Sequence, residues 1–450
     1  MALYVVMARK LGETEFGVFT LGFSLALLVT ALADFGQDPV LIREVSRRRW
    51  LVHRYFANTL ALKLLFSVPA LGVLLAVLYA AGLDGETRLV ALVLGFAIVA
   101  ERLMSTCFAV FQSHERLEFI PAALITQRAL MAAGGVAALL LGGRVVVVSA
   151  VYLGASLAAL ALAASLLFRY VARPRIRIDP ALWRPLIWAA IPTGLVAIFN
   201  LILFRVDTAM LAAFAPKSVV GNYGAAYRIL EMTLFISWSV GAAVYPVFSR
   251  LSPATEPPVG FVFDRSLKLV VALTLPFALL AAMLARPLVA LLYGSEFDRA
   301  GDALVLLAPA VAFYPVSYVA GYLLASQHRQ RQGAVVCGLV ALENVVSNLV
   351  LIPRFSLEGA AVATSISELL LAAGFVFLAQ RVSGVVAWRR TLSGPALAGA
   401  AAAFTMAVLS QNLIGAVAGG AIVYAVALTV FEHAAYPQDA VAVRRFVLRS

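Results

Sequence analysis

Apolar residues run through this chain in stretches of about 20, the length a helix needs to cross a bilayer, with short polar or basic connections between them. The pattern places thirteen spans: Phe16–Ile42, Asn58–Gly82, Leu89–Phe111, Phe119–Leu141, Val145–Phe168, Leu186–Leu211, Val219–Phe248, Leu267–Tyr293, Ala303–Ser326, Gly333–Ile352, Leu357–Ala379, Pro395–Leu409 and Leu413–Phe431. The runs do not alternate apolar with polar, which excludes a barrel of transmembrane strands. Ahead of the first span lies Met1–Ala8, apolar but too short to cross. It has neither the basic start nor the small-residue cleavage site of a signal peptide.

Composition agrees. Hydrophobic residues make up 63% of the 450, charged residues 13%, and the mean hydropathy is +0.95. A soluble domain is nearer half apolar and a quarter charged. The chain therefore reads as an all-α polytopic membrane protein.

The net charge of +12 does not point to nucleic acid, because the basic residues fall in short loops between spans. One alternate set of connections, with the C-terminal tail, carries 22 of the 35 Lys and Arg, and the other set carries 9. Cytoplasmic loops carry such an excess. The first set is thus expected inside, with the C-terminus, and "LGETEFG" outside. An external "LGETEFG" needs a helix leading out to it, so Met1–Ala8 is expected to be the outer end of a truncated first helix. Cys107 and Cys337 lie in separate apolar runs and read as inert core thiols. No residues have metal-ligand spacing. No nucleotide-binding loop or other cofactor motif is evident, and no connection is long enough to form a soluble domain.

The connection Phe168–Pro185 falls near the middle of the array, and an internal echo supports a boundary there. "KLGETEFGVFTLGFSL" and "APKSVVGNYGAAYRIL" share a polar turn, a glycine (Gly17, Gly221), an aromatic two residues on (Phe19, Tyr223) and an apolar helix. The helices that follow reach Pro39 and Arg43 in one copy and Pro246 and Arg250 in the other. Both glycines are expected in tight external turns. Repeated halves are a common plan of transporters. The expected division is an N-terminal helical lobe over residues 1–178, a C-terminal lobe over 179–381, and an added helix pair with a cytoplasmic tail over 382–450.

The stretch "ARKLGETEFGVFTLGFSLALLVTALADFGQDPVLIRE" resembles the opening of the Wzx-type polysaccharide flippases of the multidrug/oligosaccharidyl-lipid/polysaccharide exporter superfamily. Arg9, Leu11, Gly12, Glu15, Phe16 and Gly17 fill its first motif, and Asp34, Gly36, Leu41 and Arg43 its second. In mid-chain, Pro192, Asp207, Gly221, Tyr223, Ala226, Tyr227, Arg228 and Glu231 match the start of the family's second lobe. "YPVFSRL" and "EGAAVATSISE" are similar too. The resemblance implies a MATE-like bundle of two six-helix lobes around a central cavity. It also implies export of undecaprenyl-pyrophosphate-linked, or similar lipid-linked, oligosaccharide from inner to outer leaflet by alternating access. Such a protein sits in the cell membrane beside glycosyltransferases and a polysaccharide polymerase, in lipopolysaccharide or O-antigen assembly. Most of the family's first helix is missing from this sequence.

Charges inside apolar spans are costly and mark function by default. On the flippase reading, Arg102, Arg128 and Arg228 are the candidates for binding the pyrophosphate, because guanidinium groups offer it bidentate hydrogen bonds. Their alternative is pairing with carboxylates between helices. Arg205, nearer a span end, can snorkel. Glu231 lies three residues after Arg228 on the same face. Asp34 and Glu368 lack a partner in the sequence, and a buried carboxyl favours its neutral form, so both are candidates for ion coupling. Asn200 and Asn344 are candidates for sugar contact, against the alternative of interhelical hydrogen bonds. Pro192, Pro246, Pro276, Pro309 and Pro315 suit helices that bend.

Two other functions fit less well. A MATE-type cation or drug antiporter would place carboxylates rather than arginines in its cavity. A membrane glycosyltransferase or ligase would need a large external loop, and the external connections are short. The chain is expected to be a transporter rather than an enzyme.

Overall fold

The computed structural model describes residues 2–173, 177–251 and 258–436, without the side chains of Leu32 and Pro192. Arg175, most of "SPATEPPVG" and the tail residues Arg444, Arg445 and Arg449 lie outside the described residues. The described chain is helical, and among the described residues there is no strand.

The elements, in order, are α1 (Ala2–Asp34), α2 (Gln37–Arg47), α3 (Val52–Ala80), α4 (Gly85–Ser113), α5 (Phe119–Leu140), α6 (Val145–Leu166) and α7 (Trp183–Phe214). Then follow α8 (Lys217–Arg250), α9 (Val259–Met283), α10 (Ala285–Tyr293), α11 (Asp298–Ser326), α12 (Gln330–Ser383), α13 (Trp388–Val408) and α14 (Leu413–Ala435). Twelve described helical segments are long and apolar enough to cross a membrane.

One of the twelve, α12, has 54 residues and turns back on itself at Ser356, where φ is 53° and ψ −128°. Asn344 on its first half donates to Ser367 on its second at 2.9 Å. Pro353, just before the turn, removes a backbone donor from the helix. Counted as two passes, α12 brings the total to the thirteen spans the hydrophobic pattern predicts. Two boundaries differ. The expected span Phe16–Ile42 breaks at Phe35 and Gly36, both in the left-handed region (φ 35° and 72°), so α1 ends at Asp34 and α2 leaves at an angle. The expected span Leu267–Tyr293 is split between α9 and the short α10.

The chain divides into two compact units: Met1–Gly224 with Asn348–Leu357, and Ala225–Ser347 with Glu358–Ser450. In the first unit the echoed glycines do not form turns. Gly12, with φ 72° and ψ 177°, is the kink in α1. Gly17 and Gly221 lie inside α1 and α8 where the two helices cross. A Cβ on Gly17 would overlap the Lys217 carbonyl, and one on Gly221 the Glu13 carbonyl. Glycine is needed here for close approach of two backbones rather than for its φ range. In the second unit, α13 and α14 pack on each other and on α9. Tyr424 of α14 donates to the Ala272 carbonyl at 2.9 Å, and Lys268 of α9 pairs with Glu432.

Candidate functional site

The first unit holds a charged group inside its apolar helices. The left-handed corner at Phe35–Gly36 sits against the Gly194 backbone of α7, so tightly that a Cβ on Gly36 would collide with it. That corner presents Asp34, at the end of α1, and Asp38, in the first turn of α2, toward α3 and α4. Between the two carboxylates lies the ammonium of Lys63, whose side chain is 0% exposed. Its Nζ is 2.6 Å from Asp34 Oδ1 and 2.8 Å from both oxygens of Asp38. It also donates to the Arg102 carbonyl at 2.9 Å and to Ser105 Oγ at 3.0 Å. Ser105 and Thr106 donate to Asp38 at 2.6 and 3.3 Å. Burying an ammonium requires this degree of pairing.

Arg102 completes the group. Its guanidinium is 28% exposed and its Nη1 lies 3.5 Å from Asp34 Oδ2, a longer approach than that of Lys63. Its Nε is buried, with no hydrogen-bond partner among the described residues. Arg102 and Asp34 are thus the two predicted site residues that the fold brings together. Glu101, the neighbour of Arg102, points the other way. Its carboxylate accepts from Gln127 at 2.6 Å and from the Tyr152 hydroxyl at 2.8 Å. Arg128 follows Gln127 on α5, in mid-helix. Its side chain is exposed, and among the described residues it has no ion-pair partner. Asn200 donates to the Val196 carbonyl one turn back. Asp207 accepts from the Tyr223 hydroxyl, while Arg205 lies over the Phe23 ring.

The second unit is different. Arg228 and Glu231 pair within one turn of α8, Nη1 to Oε2 at 2.6 Å, with the arginine 12% exposed. The two passes of α12 meet through hydroxyls, an amide and one carboxylate. Ser367 donates to Glu343 at 2.8 Å, Ser347 to Glu343 at 2.6 Å, and Asn344 to Ser367. Glu368 is 7% exposed, and among the described residues its buried Oε2 has no hydrogen-bond partner. Both cysteines are free and buried.

Lys63 and Asp38 belong to the charged group but were given no role from sequence. A signal was present. Thr59, Lys63 and Ser67 recur every four residues along α3, and all three are buried on one face. The sequence lists three polar residues at that spacing but not what they meet.

A family model described as polysaccharide biosynthesis protein matches residues 1–252, and one described as MatE matches residues 192–350. The chain is similar to the probable low-salt glycan biosynthesis flippase Agl15 of Haloferax volcanii, with 24% identity over 365 residues, 80% of this chain and 75% of that protein. Among solved structures it resembles the lipid II flippase MurJ in an inward closed conformation. The TM-score is 0.81, with 12% identity and 96% of each chain covered. It also resembles an inward-facing multidrug resistance MATE family transporter, with a TM-score of 0.67, 14% identity and coverage of 84% and 93%. The structural likenesses establish the fold, and the MATE-like all-α architecture expected from the sequence is the one observed.

Proposed function

This chain belongs to the polysaccharide biosynthesis protein family, and on that premise we propose that it carries a lipid-linked oligosaccharide from the inner to the outer leaflet. The observation that carries the reading is Arg102: a guanidinium inside an apolar unit, held loosely by one carboxylate and with a buried donor unused. Such a group can take a pyrophosphate, replacing water with charge-assisted hydrogen bonds.

Lys63 explains how that exchange is affordable. If a pyrophosphate draws Arg102 away from Asp34, Asp34 keeps its contact with Lys63 at 2.6 Å. No carboxylate is stranded in a low dielectric, where an unpaired charge is heavily penalised. Arg128, exposed and unpaired among the described residues, serves as a second phosphate ligand. Arg228, in the second unit, can bind an anionic group of the substrate only by giving up Glu231. In this reading Asp34 acts as the counter-ion of Arg102, and Glu368 is the carboxyl that couples transport to an ion gradient. Asn344 and Asn200 act in packing, consistent with their bonds to Ser367 and the Val196 carbonyl.

The protein lies in the cell membrane with its C-terminus in the cytoplasm, a placement supported by the 22-to-9 distribution of basic residues between alternate connections. Its substrate must come from glycosyltransferases acting on a lipid pyrophosphate and pass to a polymerising or transferring enzyme outside.

The test is reconstitution of the full chain in vesicles with a fluorescent sugar-bearing polyprenyl pyrophosphate in the inner leaflet. The expected result is appearance of the label at the outer surface at a rate that depends on Arg102. The MatE match over residues 192–350 favours a second reading, exchange of an organic cation for a proton or sodium ion. Vesicles that move organic cations against such a gradient, and leave the lipid in place, would select that reading and overturn the first.

A further inference from the structure

The second unit carries a continuous ladder of tyrosines that the pyrophosphate chemistry does not use. Tyr314, Tyr318 and Tyr322 recur every four residues on α11 and so share one face. Their rings touch in sequence, Tyr314 to Tyr318 at 5.4 Å and Tyr318 to Tyr322 at 5.3 Å between centroids. Tyr245 of α8 continues the chain at 5.7 Å from Tyr322. Gly241, one turn before Tyr245, lets the Tyr322 ring lie on the α8 backbone, since a Cβ there would overlap the ring. Trp238 closes the row, within hydrogen-bonding reach of the Tyr314 hydroxyl. The row is open on one side: Trp238 is 51% and Tyr245 39% exposed, and Tyr318 and Tyr322 are partly exposed.

Its chemistry differs from that of an exposed stripe on a neighbouring helix. On α12 the exposed residues Val335, Leu339, Leu342 and Val346 are aliphatic, as hydrocarbon requires. The Tyr314 hydroxyl reaches Trp238, and Tyr318 and Tyr322 hydrogen-bond each other, so the row sets linked polar hydroxyls beside ring faces, which suits an occupant that can itself hydrogen-bond. The ring faces are electron-rich and attract polarised C–H groups, and the rims carry hydroxyls that donate and accept. A pyranose offers both features, an apolar C–H face and a girdle of hydroxyls. A lipid chain offers only the first, and an inorganic ion neither. We propose that Trp238, Tyr245, Tyr318 and Tyr322 form a stacking platform for the sugar rings of the cargo, with Tyr314 as its buried base. This rests on the transport reading above and names the part of the unit that recognises the glycan.

The experiment compares two probes on the full chain in lipid nanodiscs: a polyprenyl pyrophosphate carrying an N-acetylhexosamine disaccharide, and the same lipid without sugar. The wild-type chain is expected to bind the glycosylated probe more tightly. Tyr318→Ala and Tyr322→Ala are expected to weaken the glycosylated probe about tenfold and leave the bare lipid unchanged. Tyr322→Phe, which keeps the ring, is expected to stay within about threefold of wild type. Trp238→Ala and Tyr245→Ala remove exposed rings and keep the test decisive if a ladder variant fails to fold. Equal binding of the two probes by the wild-type chain, or equal weakening of both by the variants, overturns the platform while leaving the transport reading intact. Binding of neither probe by the wild-type chain overturns both.

Discussion

Lys63 in the first unit and Glu368 in the second are both buried ionisable groups in apolar helices, with opposite surroundings. Lys63 meets two carboxylates, a hydroxyl and a backbone carbonyl, which satisfy its charge. Glu368 has a buried oxygen with no donor. The first arrangement holds its charges in place, so it suits a site that must stay polar while an anionic headgroup passes. The second has no ion pair among the described residues, the condition that the proposed ion-coupling role requires. One fold thus keeps a compensated group in one unit and an uncompensated carboxyl in the other, and the proposed division of labour follows from that contrast.

The contrast breaks first at Lys63. Lys63→Met leaves Asp38 without its counter-charge and Asp34 with only the longer Arg102 contact, at an expected cost of about 3–5 kcal/mol, read as a large fall in the unfolding temperature of the detergent-solubilised protein. Adding Asp34→Asn and Asp38→Asn to that variant should recover much of the loss. If the single variant is as stable as wild type, the charges are not coupled as the distances indicate. Next comes Arg102. Arg102→Gln removes charge-assisted hydrogen bonds worth about 1.5–3 kcal/mol, or roughly 10–100-fold in affinity for a polyprenyl pyrophosphate. Folding should change little, because Lys63 still holds Asp34. Arg102→Lys should recover only part of the binding, since an ammonium lacks the planar fork.

Glu368 should behave in the reverse way. Glu368→Gln breaks no hydrogen bond at the buried oxygen, so stability should change by less than ~1 kcal/mol, while the response of lipid transport to an imposed ion gradient is lost. A variant that loses stability but keeps its gradient response would reverse the roles assigned to the two units. The smallest effect sharpens the comparison by moving an ion pair into water. Asp84, just before α4, pairs with Lys217, and its side chain is 47% exposed. Partial burial raises its carboxyl, but hydrogen bonds from Lys217 and Thr87 and the Lys217 charge outweigh this and hold it at about 2, below the ordinary 3.8. A lowered carboxyl stabilises the fold above pH 3.8, and that contribution fades as the pH falls toward about 2. Because the pair is solvent-screened, Asp84→Asn should cost less than ~1 kcal/mol. A loss comparable to that of Lys63→Met would show that burial is not what separates the two pairs.

The spans were readable because hydrocarbon leaves a helix little choice of composition, and the thirteen apolar runs correspond to twelve described helices long and apolar enough to cross, one of them doubled back. The Arg228–Glu231 pair was readable as well, because three residues on a helix set the distance. Asp34 was read as lacking a partner because Lys63 is 29 residues away along the chain. The echoed glycines were read as turns, since glycine's φ freedom is visible in sequence and a backbone crossing is not. The tyrosines of α11 are not legible as a site, because an i, i+4 row of aromatics reads equally well as core.

By itself, then, the sequence determined the membrane class, the helix count, the resemblance to polysaccharide exporters and the set of intramembrane charges. Those follow from local composition and from motifs read in order. Tertiary structure alone decided which charges meet. Pairing in a low dielectric depends on distances of about 3 Å between different helices, and hydropathy does not encode them. That is why Lys63, silent in the sequence, stands at the centre of the charged group.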